Sequence, residues 1–274
     1  MKSKITGGAT EHLFTAKVLE KYNVVYYRCK ETGFIQTEEP YWLPDAYSSA
    51  ITSLDIGMLK RNDFLSKEAE RLLLNYFDTD AKFLDYAGGY GVFTRLMRDK
   101  GFNFFHTDKY CENIFANFFD LKDLREVHRF ELLTAFEVFE HLVHPVEEIT
   151  EMFKYADNIF FSTELVPQRP IKSVEDWWYL IPETGQHISL YTKDALSYLA
   201  KQFGCNYYSD GATMHLFTKT PLAQDPFGPP PPDKYLLRKM KKIVRKLEPP
   251  SLLPVKESLL ESDWRSIKDL LKKS

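Results

Sequence analysis

The strongest indication of the architecture is the stretch FLDYAGGYGVF at residues 83–93. A short apolar run ends at Asp85, a turn with three glycines follows, and Val92 begins a segment with helical spacing. Glycine permits positive φ and lets a ligand approach the backbone without a Cβ in the way. The helix that follows offers unpaired N–H groups in its first turn. The pattern predicts a ligand site at the carboxyl ends of the strands of an open α/β sheet.

Strands and helices alternate on both sides of this turn. Strands are predicted at 82–85, 102–107, 130–136 and 158–162 with a closing hairpin of 207–208 and 214–218, and helices at 66–77, 92–99, 146–155 and 193–203. Ser66 is the expected N-cap of the first helix. A hairpin turning at Thr32 and Gly33 is predicted nearer the N-terminus. Such alternation favours a parallel sheet with right-handed crossovers.

Three positions in and after this turn indicate which ligand the site would bind. A dinucleotide fingerprint requires a third glycine at position 94, where this chain has Thr94. Asp85 suits an ammonium group better than a pyrophosphate. Asp108 ends the next strand, 17 residues beyond Gly91, where a carboxylate can accept both hydroxyls of a ribose. S-adenosylmethionine carries an ammonium group and a ribose, so it is the expected cofactor, with NAD as the less favoured alternative.

Residues 85–91, DYAGGYG, resemble the D-x-G-x-G-x-G signature of class I S-adenosylmethionine-dependent methyltransferases, with Ala87 in place of the first glycine. The resemblance extends over about residues 20–220. It implies a Rossmann-like α/β sheet with helices on both faces, preceded by an N-terminal cap and followed by a C-terminal helical tail. It also implies cofactor contacts from Asp85, Ala87, Gly89, Gly91 and Asp108.

A second motif, EVFEHL at residues 137–142, follows a predicted strand. It resembles the E-V-x-E-H-L run of the ubiquinone-biosynthesis-like and sugar-modifying methyltransferases. The resemblance implies that Phe136 and Glu137 line the cofactor pocket and that Glu140 and His141 face the methyl acceptor. In the alternative interpretation, Glu140 and His141 only stabilise the start of a helix.

A third segment, WWYLIPETGQHISLY at residues 177–191, is rich in aromatic residues. It resembles a stretch of bacterial methyltransferases that accompany polysaccharide and nucleotide-sugar pathways. Aromatic faces stack on sugars, and His187, Gln186 and Tyr179 offer directed hydrogen bonds to a polar acceptor. The alternative is an aromatic cluster that packs a long loop onto the sheet.

An oxygen acceptor must lose a proton, and a histidine is the natural base. We therefore predict His187 as the first candidate and His141 as the second, with Tyr179 and Glu140 beside them. No metal ligand set is expected, because the seven histidines show neither H-x-x-x-H nor H-x-H spacing.

The composition excludes several other classes of protein. Three cysteines without a C-x-x-C pair argue against a disulfide scaffold and favour a reducing cytoplasm. The N-terminus lacks the apolar core of a signal peptide, and no apolar run of 18 residues is present. The net charge of −3 divides into −8 for residues 1–221 and +5 for residues 222–274, and the acidic body gives no electrostatic reason to bind nucleic acid.

Four segments are predicted: an N-terminal hairpin and cap at 1–60, the methyltransferase domain at 61–220, a linker at 221–233 and a helical tail at 234–274. The linker region Pro221–Pro232 holds six prolines. Residues 234–246 hold seven Lys or Arg and no acid, and the apolar residues of 234–247 recur at helical spacing. This basic helix either makes a peripheral contact with the inner face of an anionic membrane or packs on the body or a second copy of the chain.

The leading hypothesis is methyl transfer to a small polar acceptor, such as a sugar or a glycan-precursor group. Two alternatives stay open: a non-catalytic binding or scaffold protein with the same fold, and an NAD-dependent oxidoreductase, which Thr94 disfavours. No nucleic-acid partner is expected, and the sequence does not indicate an oligomeric state.

Overall fold

A computed structural model describes residues 1–48, 52, 54–125, 129–229 and 256–271. No helix among these residues has the length and apolar character needed to cross a membrane. The basic segment predicted at 234–247 lies outside the described residues, as does the end of the predicted linker. Its contact with a membrane or with the body therefore stays a prediction.

Two sheets, six α-helices and four short 3-10 helices make up the regular structure of the described residues. The strands are β1 (Thr10–Val18), β2 (Tyr22–Cys29), β3 (Ile35–Thr37), β4 (Lys82–Tyr86), β5 (Asn103–Thr107), β6 (Leu132–Phe136), β7 (Asn158–Ser162), β8 (Ser189–Leu190), β9 (Asn206–Ser209) and β10 (Met214–Thr218). The helices are α1 (Leu43–Ala46), α2 (Met58–Tyr76), α3 (Val92–Asp99), α4 (Pro145–Tyr155), α5 (Lys193–Gln202) and α6 (Leu260–Leu271).

The larger sheet has six strands in the order β5-β4-β6-β7-β10-β9. The first four are parallel, and β10 runs antiparallel to both β7 and β9. Parallel strands place their carboxyl ends at one edge, so the glycine turn after β4 lies beside the ends of β5 and β6. The predicted α/β sheet and its closing hairpin are confirmed.

Both faces of this sheet are covered because successive strand residues point to opposite sides. Leu132 packs in a buried cluster with Met97 of α3. Its neighbour Leu133 packs in a second cluster with Ile149 of α4 and Leu196 of α5. The continuous apolar runs seen in the sequence are therefore the two-sided core of a parallel sheet.

The first large helix begins earlier than the sequence indicated. Helix α2 starts at Met58, and Ser66 lies inside it with its hydroxyl donating to the carbonyl of Asp63 at 2.9 Å. The predicted N-cap at Ser66 is wrong. The first turns of α2 border a cavity and expose large side chains such as Leu59, so no apolar stripe marked them in the sequence.

The smaller sheet has the antiparallel order β1-β2-β3-β8. The predicted hairpin is confirmed, and the preceding strand β1 extends it. Strand β8 comes from the aromatic-rich segment at 177–191, inside the predicted methyltransferase domain. It pairs through Leu190 with Ile35 and through Ser189 with Gln36, which fixes that segment against the N-terminal sheet.

The described part of the C-terminal tail packs on the body. Arg98 of α3 and Asp263 of α6 are 5% and 4% exposed, and the guanidinium donates to both carboxylate oxygens at 2.7 and 2.8 Å. The same guanidinium lies 3.6 Å from the ring centre of Phe119. This buried pair fastens α6 to the helix that begins at the glycine turn.

Asp263→Ala should leave Arg98 without its carboxylate partner and cost about 2–4 kcal/mol in the free energy of unfolding. The remaining acceptors of Arg98, Asn103 Oδ1 and the carbonyl of Phe104, keep the cost below that of a fully orphaned charge. Differential scanning calorimetry should show a melting temperature lower by roughly 4–12 °C.

Glu261→Gln on the same helix is the matched control, because among the described residues the ion-pair partner of Glu261 is the exposed Arg265. It should move the melting temperature by no more than about 1 °C. Equal melting temperatures for wild type and Asp263→Ala would mean that the Arg98–Asp263 pair does not hold α6 to the body.

Candidate active site

The carboxyl ends of β4, β5 and β6 open into a cavity of about 610 Å³, a volume typical of a small-molecule site. Nine of the eleven predicted site residues line it: Asp85, Ala87, Gly89, Asp108, Phe136, Glu137, His141, Tyr179 and His187. The other two, Gly91 and Glu140, lie behind the lining. One cavity thus adjoins both the proposed cofactor motif and the proposed acceptor motif.

The glycine turn holds three consecutive residues with distinct constraints. Ala87 and Gly89 have φ of +54° and +58°, in the left-handed region that costs an alanine about 1 kcal/mol or more. A Cβ on Gly88 would lie 2.3 Å from Oδ2 of Asp85, so this position accepts only glycine without rearrangement. The sequence motif had pointed to Ala87 and Gly89 on either side and not to Gly88.

Gly91 serves the packing of the turn. Its φ is +82°, and a Cβ there would lie 2.3 Å from Oδ1 of Asn113. Asn113 in turn accepts from the N–H of Ala116 at 2.9 Å and shapes the loop after β5. Gly91 therefore permits close contact between this loop and the start of α3.

Asp85 lies buried beneath the turn. Its two oxygens accept from the hydroxyls of Thr94 and Thr134 at 3.0 and 2.9 Å. Burial raises the pKa of Asp85 to about 6, and these hydroxyls and the nearby His106 oppose that rise. Thr94, at the position where a dinucleotide fingerprint has glycine, holds this carboxyl group in place.

Asp108 connects the end of β5 to the turn. Oδ2 accepts from the N–H of Gly89 at 2.9 Å, and Oδ1 accepts from the N–H groups of Tyr110 and Cys111 at 2.7 Å each. The carboxylate is half-buried at the cavity wall. It therefore orders the loop as well as presenting an acceptor to the cavity.

His106 holds the same turn from below, and the sequence analysis missed it. Its Nε2 lies 2.9 Å from the carbonyl oxygen of Gly89, and its Nδ1 lies 2.8 Å from Oδ1 of Asp120. A carbonyl only accepts, so Nε2 carries the proton of that bond. A histidine inside an apolar strand, two residues before Asp108, was the available signal.

His141 and His187 form one wall of the cavity, with ring centres 5.0 Å apart and planes perpendicular. Nδ1 of His187 lies 2.6 Å from the carbonyl oxygen of Tyr179, and Nδ1 of His141 lies 3.1 Å from that of Gln186. Both Nδ1 atoms therefore carry protons, and both Nε2 atoms keep a lone pair. Burial lowers the pKa of His141 to about 3 and that of His187 to about 4, so both rings are neutral.

Glu140 lies fully buried behind these rings. Among the described residues, neither carboxyl oxygen has a hydrogen-bond partner. Burial, and then the charge of Glu137, raise the pKa of Glu140 to about 8. The hydroxyls of Tyr179 and Thr163 offset part of that rise without meeting hydrogen-bond geometry.

The aromatic segment divides between core and cavity. Trp177 is buried and its Nε1 donates to Glu164 at 3.3 Å, while Trp178 is 67% exposed and lines the cavity. The side chain of Tyr179 is buried, and its ring centre lies 4.6 Å from that of His187. The amide of Gln186 donates to the carbonyl of Ala46 at 2.9 Å. Both interpretations of this segment therefore hold in part: Trp177 packs in the core, whereas Trp178 lines the cavity.

The sequence analysis also missed an ion-pair group at the cavity wall. Arg61 of α2 donates to both carboxylate oxygens of Asp55 at 2.9 and 2.8 Å, and its Nε lies 3.7 Å from Oε2 of Glu137. Glu137 has φ of +54°, and its Oε1 accepts from Ser162 at 2.6 Å. Arg61 lies in the polar first half of α2, where the sequence had no periodic signal.

Asp108→Ala should weaken the binding of S-adenosylhomocysteine about 10- to 100-fold, because the variant loses a charged acceptor and the bonds that order the turn. Asp108→Asn, which keeps one acceptor oxygen, should lose less. Isothermal titration calorimetry measures both. An unchanged dissociation constant in a variant that melts like wild type would exclude Asp108 from the cofactor site.

Substitutions at Ala87 and Gly88 should distinguish the effect of backbone strain on the glycine turn from the effect of steric contact with Asp85. Ala87→Gly removes a left-handed alanine at the cost of chain entropy, so stability should change by less than about 1 kcal/mol and cofactor binding should persist. Gly88→Ala places a methyl group against Asp85 and should weaken S-adenosylhomocysteine binding at least about 10-fold. Equal binding by the two variants would contradict this account of the turn.

Residues 59–210 match the profile of a family described as a methyltransferase domain. No curated protein sequence matches the chain. Three similar solved structures are CalO1, a methyltransferase in calicheamicin biosynthesis bound to S-adenosylhomocysteine; TnmH; and an O-methyltransferase family protein from Burkholderia thailandensis.

Their sequence identities to the chain are 15%, 14% and 10%, and their TM-scores are 0.39, 0.45 and 0.42. The alignments cover 65%, 66% and 60% of this chain and 61%, 62% and 57% of those structures. The chain thus spans about three fifths of their length, and likeness at this level says nothing about its substrate. The family profile covers more than half of the chain, so the chain belongs to the methyltransferase-domain family.

Proposed function

We propose that this chain transfers the methyl group of S-adenosylmethionine to an oxygen atom of a small polar acceptor of sugar type. The observation that carries the proposal is the pair of neutral imidazoles, His141 and His187, on the wall of the cavity that the glycine turn also borders. Each keeps an unprotonated Nε2 because Nδ1 is bonded to a carbonyl. Such lone pairs accept the proton that an oxygen nucleophile must lose.

The predicted cofactor residues have two proposed roles: some contact the cofactor, and the others hold the glycine turn in its conformation. Gly89, Asp108, Phe136 and Glu137 line the cavity and are proposed to contact the cofactor, with Asp108 on the ribose. Asp85 is proposed to support the turn from beneath, because both of its oxygens are engaged by threonine hydroxyls. Ala87 and Gly91 give the turn its shape.

The chemistry requires alignment and the removal of one proton. The sulfonium is already an activated donor, so an in-line approach of the acceptor oxygen supplies much of the rate. The S–CH₃ bond breaks as the O–CH₃ bond forms, S-adenosylhomocysteine leaves, and the acceptor proton passes to Nε2 of His187. The carbonyl of Tyr179 fixes the tautomer of His187 and orients its Nε2 lone pair.

Aromatic side chains at the cavity support the sugar class. Trp178 is largely exposed at the wall, and Tyr47 stacks on Tyr110 with ring centres 4.8 Å apart. Aromatic faces of this kind cover the apolar face of a pyranose, while the histidines offer polar contacts to its hydroxyls.

His187→Gln should lower the turnover of methyl transfer about 10²- to 10⁴-fold and leave S-adenosylhomocysteine binding within about twofold of wild type. The matched control is His144→Gln, since His144 is exposed and does not line the cavity. Transfer of labelled methyl to nucleoside-diphosphate hexoses, with catechol as a phenolic comparison, measures the activity.

Each alternative function has its own outcome. Methylation of catechol but of no sugar would contradict the acceptor class. Binding of S-adenosylhomocysteine without transfer to any acceptor would favour a binding module over an enzyme. A calorimetric response to NAD alone would indicate the oxidoreductase.

A further inference from the structure

We propose that Glu140, His141 and His187 form a binding site for one divalent transition-metal ion, with Zn²⁺ the ion that best fits the donors. One ligand atom from each side chain lies within 4.8 Å of the other two. The inference rests on the proposed function in one respect: the site borders the space assigned to the methyl acceptor. The prediction of no metal ligands came from spacing along the chain, whereas the fold brings His187 beside a histidine 46 positions away.

The two histidines are prepared as metal ligands by their hydrogen bonds. A metal-bound histidine almost always donates its other ring N–H to a carbonyl or carboxylate, which fixes the tautomer and orients the ring. His187 does so to the carbonyl of Tyr179, and His141 to that of Gln186. Within the described part of the chain, Nε2 of neither ring has a hydrogen-bond partner.

A bound ion would explain why Glu140, the third ligand, is buried without hydrogen-bond partners among the described residues. Glu140 is completely buried, and both of its carboxyl oxygens lack partners in the described structure. A buried polar group without a partner costs free energy, and native proteins keep few of them. A cation between this carboxylate and the two imidazoles would satisfy it directly.

The backbone around the three ligands is held firmly. The N–H of Ile188 donates to the carbonyl of Glu140 at 2.9 Å, which joins the two ligand-bearing segments. The hydroxyl of Ser189 donates to the carbonyl of Leu142 at 2.7 Å, so the same segments are joined again one residue beyond. Rigid support of this kind keeps metal ligands in position.

The donor set selects the class of ion. Two imidazole nitrogens and one carboxylate match catalytic Zn²⁺ sites, which keep one further position open for water or substrate. Mg²⁺ prefers oxygen donors and is not expected to bind here. Because both histidines line the cavity, the open position would face the methyl acceptor.

Such an ion would change how the acceptor loses its proton. A hydroxyl oxygen bound to Zn²⁺ has a lowered pKa, so its proton can pass to solvent water. The Nε2 lone pairs of His141 and His187 would then hold the ion and would not accept the proton. Without the ion, His187 remains the proton acceptor.

Isothermal titration calorimetry of the untagged full chain, stripped with a chelator, tests the proposal with ZnCl₂ and with MgCl₂. We expect one Zn²⁺ per chain with a dissociation constant of about 1 μM or lower, and no response to Mg²⁺. Co²⁺ in place of Zn²⁺ should give visible absorption bands characteristic of a low-coordinate site. The absence of Zn²⁺ binding by wild type would overturn the proposal.

Glu140→Gln and His187→Gln should each weaken Zn²⁺ binding at least about 100-fold, and His144→Gln should bind as wild type does. Unchanged S-adenosylhomocysteine binding shows that each variant is folded. If the turn of the chain at Glu140 does not tolerate the first variant, His187→Gln alone carries the test. Full Zn²⁺ affinity in folded His187→Gln would place the ion elsewhere and overturn the site.

The metal proposal and the proposed function can each be refuted without refuting the other. Methyl transfer by stripped protein that binds no Zn²⁺ would overturn the metal site and leave the function standing. Zn²⁺ binding that depends on His187, in a protein that methylates no acceptor, would support the site and contradict the function.

Discussion

One residue of the glycine turn, Gly89, is held through both of its backbone groups. Its N–H donates to Asp108 at the end of β5, and its carbonyl accepts from the buried ring of His106 on the same strand. The end of the neighbouring parallel strand β5 thereby fixes the loop between β4 and α3. The cavity, the start of α3 and the position of the cofactor motif all depend on this arrangement, because a loop without such bonds would be free to move.

The opposite wall of the cavity depends on a connection between the two sheets. Strand β8 completes the N-terminal sheet by pairing with β3, and Ile188 just before it bonds to the backbone of Glu140 after β6. The aromatic-rich segment therefore cannot move independently of the strand that precedes EVFEHL. Both histidines owe their positions to this junction, which explains why a buried carboxyl group and two neutral rings can be kept close together.

The C-terminal half of α3 is held by a buried ion pair. Arg98 and Asp263 form a buried pair whose members would be costly to separate, and Phe119 covers the guanidinium. The N-terminus of that helix faces the cavity and its C-terminal half holds α6. A distant part of the chain thus packs on the same helix that the glycine turn precedes. Separating the two charges is unfavourable, since each would then be buried without its partner.

Local patterns were sufficient to predict the strands of the larger sheet, most helices and the glycine turn, because apolar periodicity and the φ freedom of glycine act over a few residues. They also indicated Asp108, His141 and His187 as candidate site residues. They did not predict β1 or β8 of the smaller sheet. They failed at Ser66 and Arg61, which lie in a helix whose first half borders a cavity and so lacks an apolar stripe. Nor did they show that Asp85 is occupied by two threonines, or that Glu140, His141 and His187 converge. Such contacts join residues far apart in the chain, so they follow from the packing of the two sheets, which no local spacing encodes.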